Sequence, residues 1–168
     1  MEQGRIHIFT GDGRGKTPAA WGCALQAACE GKSIVIIQFL KGRGLEDSEF
    51  VRRLEPEIKL FRFEKAEEDF HELSEDEKAE AIISIRNGMN YARKVLSTGE
   101  CDLLILDEVL GLIDNHIITE NELREVLSLK QEQSTVILTG ITLNNDICML
   151  ANQVSKIETV RFKRWDEM

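Results

Sequence analysis

Apolar and polar positions follow two different periods along the chain, and the two periods alternate in a regular order. Residues 5–9 alternate polar and apolar side chains, whereas 33–38 and 102–107 are nearly continuous apolar runs. Such runs are typical of strands that are covered on both faces. Further strands are predicted at 58–63, at 135–139 and near 154–160. The pattern therefore predicts six short strands.

Helical spacing is found in most of the intervals between these strands. Residues 16–30 carry alanines and a leucine at steps of three and four, and Gly31 follows as a helix-ending residue. A short helix is predicted between the last two strands, and two longer helices are predicted on either side of the strand at 102–107.

Two capping boxes mark where the longer helices begin. Ser74 is followed three residues later by Glu77, and Thr119 is followed at the same spacing by Glu122. In this motif the hydroxyl accepts a backbone N–H of the first turn, and the carboxylate reaches back. The first of these helices has one apolar face, and the second extends to about residue 130. The face of the first helix comprises Ile82, Ile85, Met89, Ala92 and Leu96.

Strictly alternating strands and helices predict an α/β protein with a three-layer, doubly wound, mostly parallel sheet. Because the chain shows no repeat, low-complexity tract or linker, residues 1–168 are predicted to form a single domain. Ligands of such sheets bind beyond the carboxyl ends of the strands. The residues that follow each strand are therefore the candidates for a functional site.

Charge and cysteine content narrow the possible partners. The formal net charge is −9, which argues against nucleic-acid binding because that rests on phosphate neutralisation by Lys and Arg. No apolar run is long enough to span a bilayer and the start lacks a signal-peptide pattern, so we expect a cytoplasmic protein without a membrane partner. The four cysteines form no C-x-x-C pair and no zinc spacing with histidine. They are expected to be reduced, structural thiols.

A glycine-rich segment joins the first strand to the first helix. It is Thr10-Gly11-Asp12-Gly13-Arg14-Gly15-Lys16-Thr17, which has Walker A spacing with Thr10 in place of the first glycine. The three glycines permit positive φ angles and let backbone N–H groups surround phosphate oxygens. Lys16 supplies a mobile positive charge, and the Thr17 hydroxyl can bind Mg²⁺ or Mn²⁺. All eight residues are predicted to bind ATP.

An acidic pair ends the buried strand at 102–107. Asp107 and Glu108 follow four apolar residues, which is a Walker B pattern. Asp107 is predicted to share a metal ion with Thr17, and Glu108 and Lys16 are predicted to take part in catalysis. In an ATPase, Glu108 would activate water for attack on the γ-phosphate.

Four blocks of the chain, in order, resemble the P-loop type of ATP:corrinoid adenosyltransferases, which act on cob(I)alamin or cob(I)yrinic acid a,c-diamide. They are residues 9–22, 35–42, 104–109 and 136–140. The most discriminating is Gln38-Phe39-Leu40-Lys41-Gly42, because other P-loop ATPases have no reason to carry it. The blocks extend from residue 9 to about 140.

The resemblance implies a RecA-like fold, a homodimer and MgATP bound in the loop 11–17. It also implies transfer of the 5′-deoxyadenosyl group to Co(I) of a reduced corrinoid, with triphosphate as the leaving group and no water to activate. An electron-donating flavoprotein is the implied partner for reduction of Co(II).

Aromatic side chains near the middle of the chain are implied to hold the corrinoid without its lower ligand. The candidates are Phe61, Phe63 and Phe70. Core packing is equally compatible with Phe61 and Phe63, whereas Phe70 lies in a polar stretch and is expected to be more exposed. Lys41, together with Arg43, is a candidate for contacts with the triphosphate or the corrinoid, and the alternative is a solvated turn.

The last third of the chain departs from the family pattern. Ile141 stands where an arginine is usual, residues 151–156 replace an Ala-Asp-x-Val-Thr-Glu signature, and the later Lys-His element is absent. Two alternatives therefore stay open: a P-loop ATPase or nucleotide-dependent switch, and a MgATP-binding relative that has lost transfer. Three minor expectations concern the remaining residues: the acidic run 64–69 is a mobile surface loop, His71 and His116 are surface residues, and Trp165 packs on the last strand.

Overall fold

The structure of the chain is a computed structural model that describes residues 3–41, 48–164 and 166. The strands are β1 Ile6–Thr10, β2 Ile34–Gln38, β3 Ile58–Arg62, β4 Leu103–Asp107, β5 Thr135–Thr139 and β6 Gln153–Lys156. The helices are α1 Lys16–Cys29, α2 Glu49–Arg52, α3 Glu75–Thr98, α4 Val109–Asp114, α5 Glu120–Ser128 and α6 Asn145–Cys148, and a 3₁₀ turn spans Phe70–Glu72. Arg43 and Trp165 lie outside the described residues.

The six strands form one sheet in the order β3-β2-β4-β5-β1-β6, and every recorded pairing is parallel. The register sets Gln38 opposite Asp107, and Phe9 opposite Thr139. Since all strands run the same way, the residues that end β1, β2, β4 and β5 meet at one edge of the sheet. The predicted α/β fold with a parallel, doubly wound sheet is confirmed.

The pleat of β2 shows how the sequence divides the core into two layers of packing. Ile34 and Ile36 face the cluster that contains Ala20 and Ala24 of α1. The alternate residues of the same strand, including Ile37, face a larger cluster that contains residues of α3, α5 and α6. Continuous apolar runs are needed because both faces of the strand are covered. The three layers follow from this alternation.

Both predicted capping boxes are present. Ser74 Oγ accepts the N–H of Glu77 and a carboxylate oxygen of Glu77 accepts the N–H of Ser74. Thr119 and Glu122 bond in the same reciprocal way at the start of α5. Each box satisfies two backbone donors that a helix start leaves without partners.

The predicted last strand is shorter than its apolar pattern suggested. β6 ends at Lys156 rather than near Val160, because the chain turns there from the sheet edge toward the glycine-rich loop. Ile157 N–H donates to Thr10 O at 2.8 Å, and Ile157 O accepts the N–H of Gly13 at 3.0 Å. Residues 157–162, here called the C-terminal segment, therefore lie on the loop instead of extending the sheet.

Three further expectations can be compared with the described residues. Within them, no helix is long and apolar enough to cross a bilayer. All four cysteines are free thiols, and burial raises the pKa of Cys101 to about 12, so that thiol stays protonated. His71 and His116 are exposed, as expected.

Candidate functional site

The glycine-rich loop has the strand before it and the helix after it that its sequence predicted. Gly11 and Gly15 adopt φ angles of 112° and 115°, a region that favours glycine. Gly13 is not in that region, so it does not use the conformational freedom that glycine permits. Its lack of a side chain has another cause, because a Cβ would lie 2.6 Å from Ile157 O. Lys16 Nζ lies 3.0 Å from Gly13 O, folded over the loop.

The C-terminal segment bonds to the same loop. Gly13 N–H donates to Ile157 O, and Arg14 N–H donates to Thr159 Oγ1 at 3.0 Å. The Arg14 guanidinium lies 4.1 Å from the centre of the Phe162 ring, a cation–π distance. Two of the loop amides that could hold phosphate are therefore bonded to the protein's own chain. No sequence pattern signalled this contact.

Asp107 is the hub of the site at the carboxyl edge of the sheet. It is 1% exposed, and its Oδ1 accepts the Thr139 hydroxyl at 2.7 Å and the Thr17 hydroxyl at 3.0 Å. Its Oδ2 accepts Gln38 Nε2 at 3.2 Å. A buried carboxylate needs such donors because burial without partners is costly. The predicted proximity of Thr17 and Asp107 is present in the geometry.

Lys41 completes this cluster. Its ammonium lies 2.9 Å from Asp107 Oδ2 and 2.7 Å from Thr17 Oγ1. The interpretation of Lys41 as part of a solvated turn was therefore wrong. The cause is the register of β2 and β4, which sets the residues after Gln38 next to Asp107.

Glu108 begins α4 with an unusual backbone. Its φ is 61°, which is left-handed and strained for a residue other than glycine. Its N–H donates to Thr139 Oγ1 at 2.8 Å, so Thr139 fixes both members of the acidic pair. Burial, and then the charge of Asp107, raise the pKa of Glu108, and Lys16 and Lys41 oppose the shift. The Glu108 carboxyl therefore lies near the charges of Asp107, Lys16 and Lys41.

The donor set fits a hard divalent cation. Within the described residues no group of three or more His, Cys, Asp or Glu lies at metal-binding spacing. However, Mg²⁺ in nucleotide sites uses one or two protein oxygens, with phosphates and waters as the other ligands. Thr17 Oγ1 and Asp107 already surround one cation, the Lys41 ammonium. Gln38 Oε1, in a residue 2% exposed, has no hydrogen-bond partner among the described residues and would suit a metal-bound water.

The three candidate aromatic residues all pack against the larger core cluster and are half-buried. Phe61 meets the Tyr91 ring edge-on at 4.9 Å between centres, and Phe63 lies 5.8 Å from the same ring. Phe70 is in the 3₁₀ turn that precedes α3. Phe70 was expected to be the more exposed of the three, and its ring also lies against the core.

Glu64 was expected to lie in a surface loop, and it does not. It is 7% exposed, and its two carboxylate oxygens each lie 3.1 Å from the N–H of Leu40. Leu40 has a φ of 54°, which a side chain disfavours. Glu64 therefore holds the strained turn that precedes Lys41, whereas Glu67, Glu68 and Asp69 are exposed.

A groove of about 440 Å³ lies elsewhere, at the amino ends of the strands. It is bordered by Arg5, Gln26 and Asp102, and it results from the single helix α1 covering that face. Because ligands of parallel sheets bind at the carboxyl ends, we consider the loop and Asp107 the better candidate site.

Comparison with known proteins agrees with this geometry. The family model for "ATP:corrinoid adenosyltransferase BtuR/CobO/CobP" matches residues 2–166. The chain belongs to this family. A corrinoid adenosyltransferase of Escherichia coli K12 is 30% identical over 160 residues, which is 95% of this chain and 79% of that protein. The corrinoid adenosyltransferase CobA of Salmonella typhimurium LT2 is 28% identical with the same coverage. Membership of the adenosyltransferase family indicates a transferase that uses ATP and a corrinoid.

The fold of this family member is shared more widely. The KaiC-like protein PH0186 of Pyrococcus horikoshii superposes with a TM-score of 0.56 over 97% of this chain and 77% of that one. At 18% identity this similarity concerns the fold alone, and it agrees with a RecA-like P-loop architecture.

Gln38 and Thr139 had no predicted role, although both contact Asp107. Each is a polar residue at the carboxyl end of a mostly apolar strand. That signal, together with the rule that ligands bind at strand carboxyl ends, was enough to select them.

Proposed function

We propose that this adenosyltransferase moves the 5′-deoxyadenosyl group of ATP onto Co(I) of a corrinoid, in the synthesis or salvage of coenzyme B12. The cobalt electron pair forms the bond to the ribose 5′ carbon. The bond from that carbon to the triphosphate oxygen breaks, and its electron pair leaves with the triphosphate. No water is consumed in this step.

The observation that supports the proposal most is the convergence of Lys16, Thr17 and Asp107 at the carboxyl edge of the sheet, in a chain of this family. Thr17 and Asp107 are in direct contact, and Lys16 reaches over the loop. We assign ATP to the eight residues Thr10, Gly11, Asp12, Gly13, Arg14, Gly15, Lys16 and Thr17. Lys16 neutralises the triphosphate as it leaves.

Thr17 and Asp107 are proposed to hold Mg²⁺ or Mn²⁺, with Thr139 and Gln38 orienting the carboxylate. The ion, when bound, supplies positive charge to the phosphates. Glu108 is proposed to be a catalytic residue beside the nucleotide, because its carboxyl lies among the charges of Asp107, Lys16 and Lys41.

The corrinoid is proposed to bind near Phe61, Phe63 and Phe70, which lie beyond β3 or at its end. A homodimer, a cytoplasmic location and an electron-donating flavoprotein that reduces Co(II) complete the proposal. These three rest on the resemblance to the family.

The first experiment is an anaerobic incubation with MgATP and chemically reduced cob(I)alamin. We expect the visible spectrum of adenosylcobalamin and one triphosphate for each cobalt–carbon bond. Formation of ADP and phosphate without a change at cobalt would favour an ATPase. Bound ATP with neither product would favour a relative without transfer activity.

The ATPase alternative has one specific observation in its favour, the position of Glu108 beside Lys16 and Asp107. If Glu108 were a water-activating base, Glu108→Gln would abolish ATP hydrolysis to ADP. Under the transferase proposal, any slow hydrolysis is unaffected by this change. Measuring ADP release by both proteins without corrinoid separates the two.

A further inference from the structure

The ammonium of Lys41 lies where a divalent cation would need to lie. Its distances of 2.7 Å to Thr17 Oγ1 and 2.9 Å to Asp107 Oδ2 are hydrogen-bond distances to the two proposed metal ligands. The carboxylate is 1% exposed, and the Lys41 ammonium at 2.9 Å compensates its charge. An ammonium and Mg²⁺ repel each other strongly at such separations. Both cannot contact these oxygens together.

The turn before Lys41 places its side chain next to Thr17 and Asp107. Leu40 adopts a left-handed backbone, and the buried carboxylate of Glu64 accepts its N–H. Phe39 N–H donates to Asp107 O at 3.0 Å, which continues the pairing of β2 with β4 past the end of the strand. The side chain itself is flexible and 28% exposed, so it has room to leave.

We propose that Lys41 is a resident counter-ion that occupies the metal position in the nucleotide-free protein and transfers to the triphosphate when the metal and ATP bind. The inference rests on the proposed binding of MgATP in the loop 11–17. The incoming phosphates supply the nearest new negative charge, and the displaced ammonium neutralises part of it. Lys41 then stabilises the triphosphate together with Lys16.

Binding of Mn²⁺ alone, followed by electron paramagnetic resonance, tests the first half. Lys41→Met removes the competing cation, so we expect nucleotide-free Lys41→Met to bind Mn²⁺ about tenfold more tightly than the parent, a factor that corresponds to about 1.4 kcal/mol. Lys41→Arg keeps the charge and is expected to stay near the parent value. Lys32→Met, a lysine before the opposite end of β2, is the matched control and should change nothing.

The acidic surface requires a second control. The formal charge of −9 can attract Mn²⁺ to other positions. The gain in affinity must therefore disappear in the double variant Lys41→Met/Asp107→Asn. An unchanged Mn²⁺ affinity in a folded Lys41→Met protein overturns the proposal, and so does a gain that survives the loss of Asp107.

The second half is tested by ATP binding at saturating Mn²⁺. Without the ammonium on the triphosphate, the dissociation constant of ATP should rise about tenfold in Lys41→Met and be restored by Lys41→Arg. An unchanged constant overturns the transfer of Lys41 to the phosphates. Neither measurement needs a corrinoid, so a failure of the proposed adenosyl transfer would leave both results interpretable.

Discussion

Glu64 is an acid whose buried environment disfavours its charged form. Burial raises its pKa to about 7, against the opposing effects of the Leu40 N–H and of Arg62. The folded protein therefore retains a proton that the unfolded chain has lost above the ordinary glutamate pKa of 4.5. By linkage, the contribution of Glu64 to stability is greatest below that value and is lost as pH rises to about 7.

We expect Glu64→Gln to remove this dependence. The free energy of unfolding of the parent, relative to the variant, should fall by up to about 3 kcal/mol between these two pH values. Urea denaturation at several pH values measures it. Glu68→Gln removes an exposed carboxylate from the same stretch and serves as the control. A parent-minus-variant difference that is flat with pH would show that the carboxyl ionises normally.

The phosphate loop and Asp107 could be predicted as residues because each belongs to a local motif with a known physical role. Gln38 and Thr139 could not be tied to Asp107, since they meet only through the strand order β2-β4-β5. Lys41 was selected because it follows the second strand in a glycine-flanked loop, but its contact with Asp107 could not be inferred. Glu64 was expected at the surface because an acidic run is usually solvated. The sequence does not show that its carboxyl is buried against the Leu40 N–H.

At the scale of elements, Gly13 and Gly22 allow a comparison of two glycine-to-alanine substitutions. Gly13 precedes α1, and Gly22 lies within it. A Cβ on Gly13 would lie 2.6 Å from Ile157 O and 2.7 Å from Glu158 Cα, and backbone cannot easily move aside. Gly22 is inside α1 with nothing within 4 Å of an added Cβ. An alanine at position 13 would therefore clash with backbone atoms, whereas an alanine at position 22 would not clash.

Gly13→Ala is therefore expected to destabilise the nucleotide-free protein by about 1–3 kcal/mol, an overpacking cost. Gly22→Ala is expected to stabilise it by about 0.5–1 kcal/mol, because alanine loses less conformational entropy in a helix. Thermal unfolding should give melting temperatures on opposite sides of the parent. Equal melting temperatures for the two variants would mean that the C-terminal segment does not rest on Gly13.

Element boundaries were predictable where the signal is local. Ser74 and Thr119 start their helices with reciprocal side-chain bonds that depend only on residues three positions away. The end of β6 was not predictable, since Val160 continues an apolar pattern and the chain leaves the sheet for a contact with the loop. Strand order is also not predictable from local signals, because it depends on which faces of the sheet the crossover helices cover.

At the scale of the whole molecule, the C-terminal segment returns to the loop that follows β1. The pairing of β6 with β1 carries the C-terminal segment to Gly13 and Arg14, whose N–H groups bond to Ile157 and Thr159. Phosphates held by a loop of this kind use the same backbone N–H groups. The segment and the triphosphate therefore compete for two donors.

Weakening the segment's hold should then favour the nucleotide. Thr159→Val removes the acceptor of the Arg14 N–H without removing the segment, and a hydrogen bond of this kind is worth about 0.5–1.5 kcal/mol net. We expect MgATP to bind the variant about two- to tenfold more tightly by calorimetry. Thr98→Val, which loses a hydroxyl bonded only within α3, should bind as the parent does.

Hydrogen exchange gives an independent measure, because ATP should accelerate exchange of the Ile157 amide, now bonded to Thr10 O. Slower exchange there, with weaker binding by Thr159→Val, would instead make the segment part of the nucleotide-bound state, and the competition would not exist.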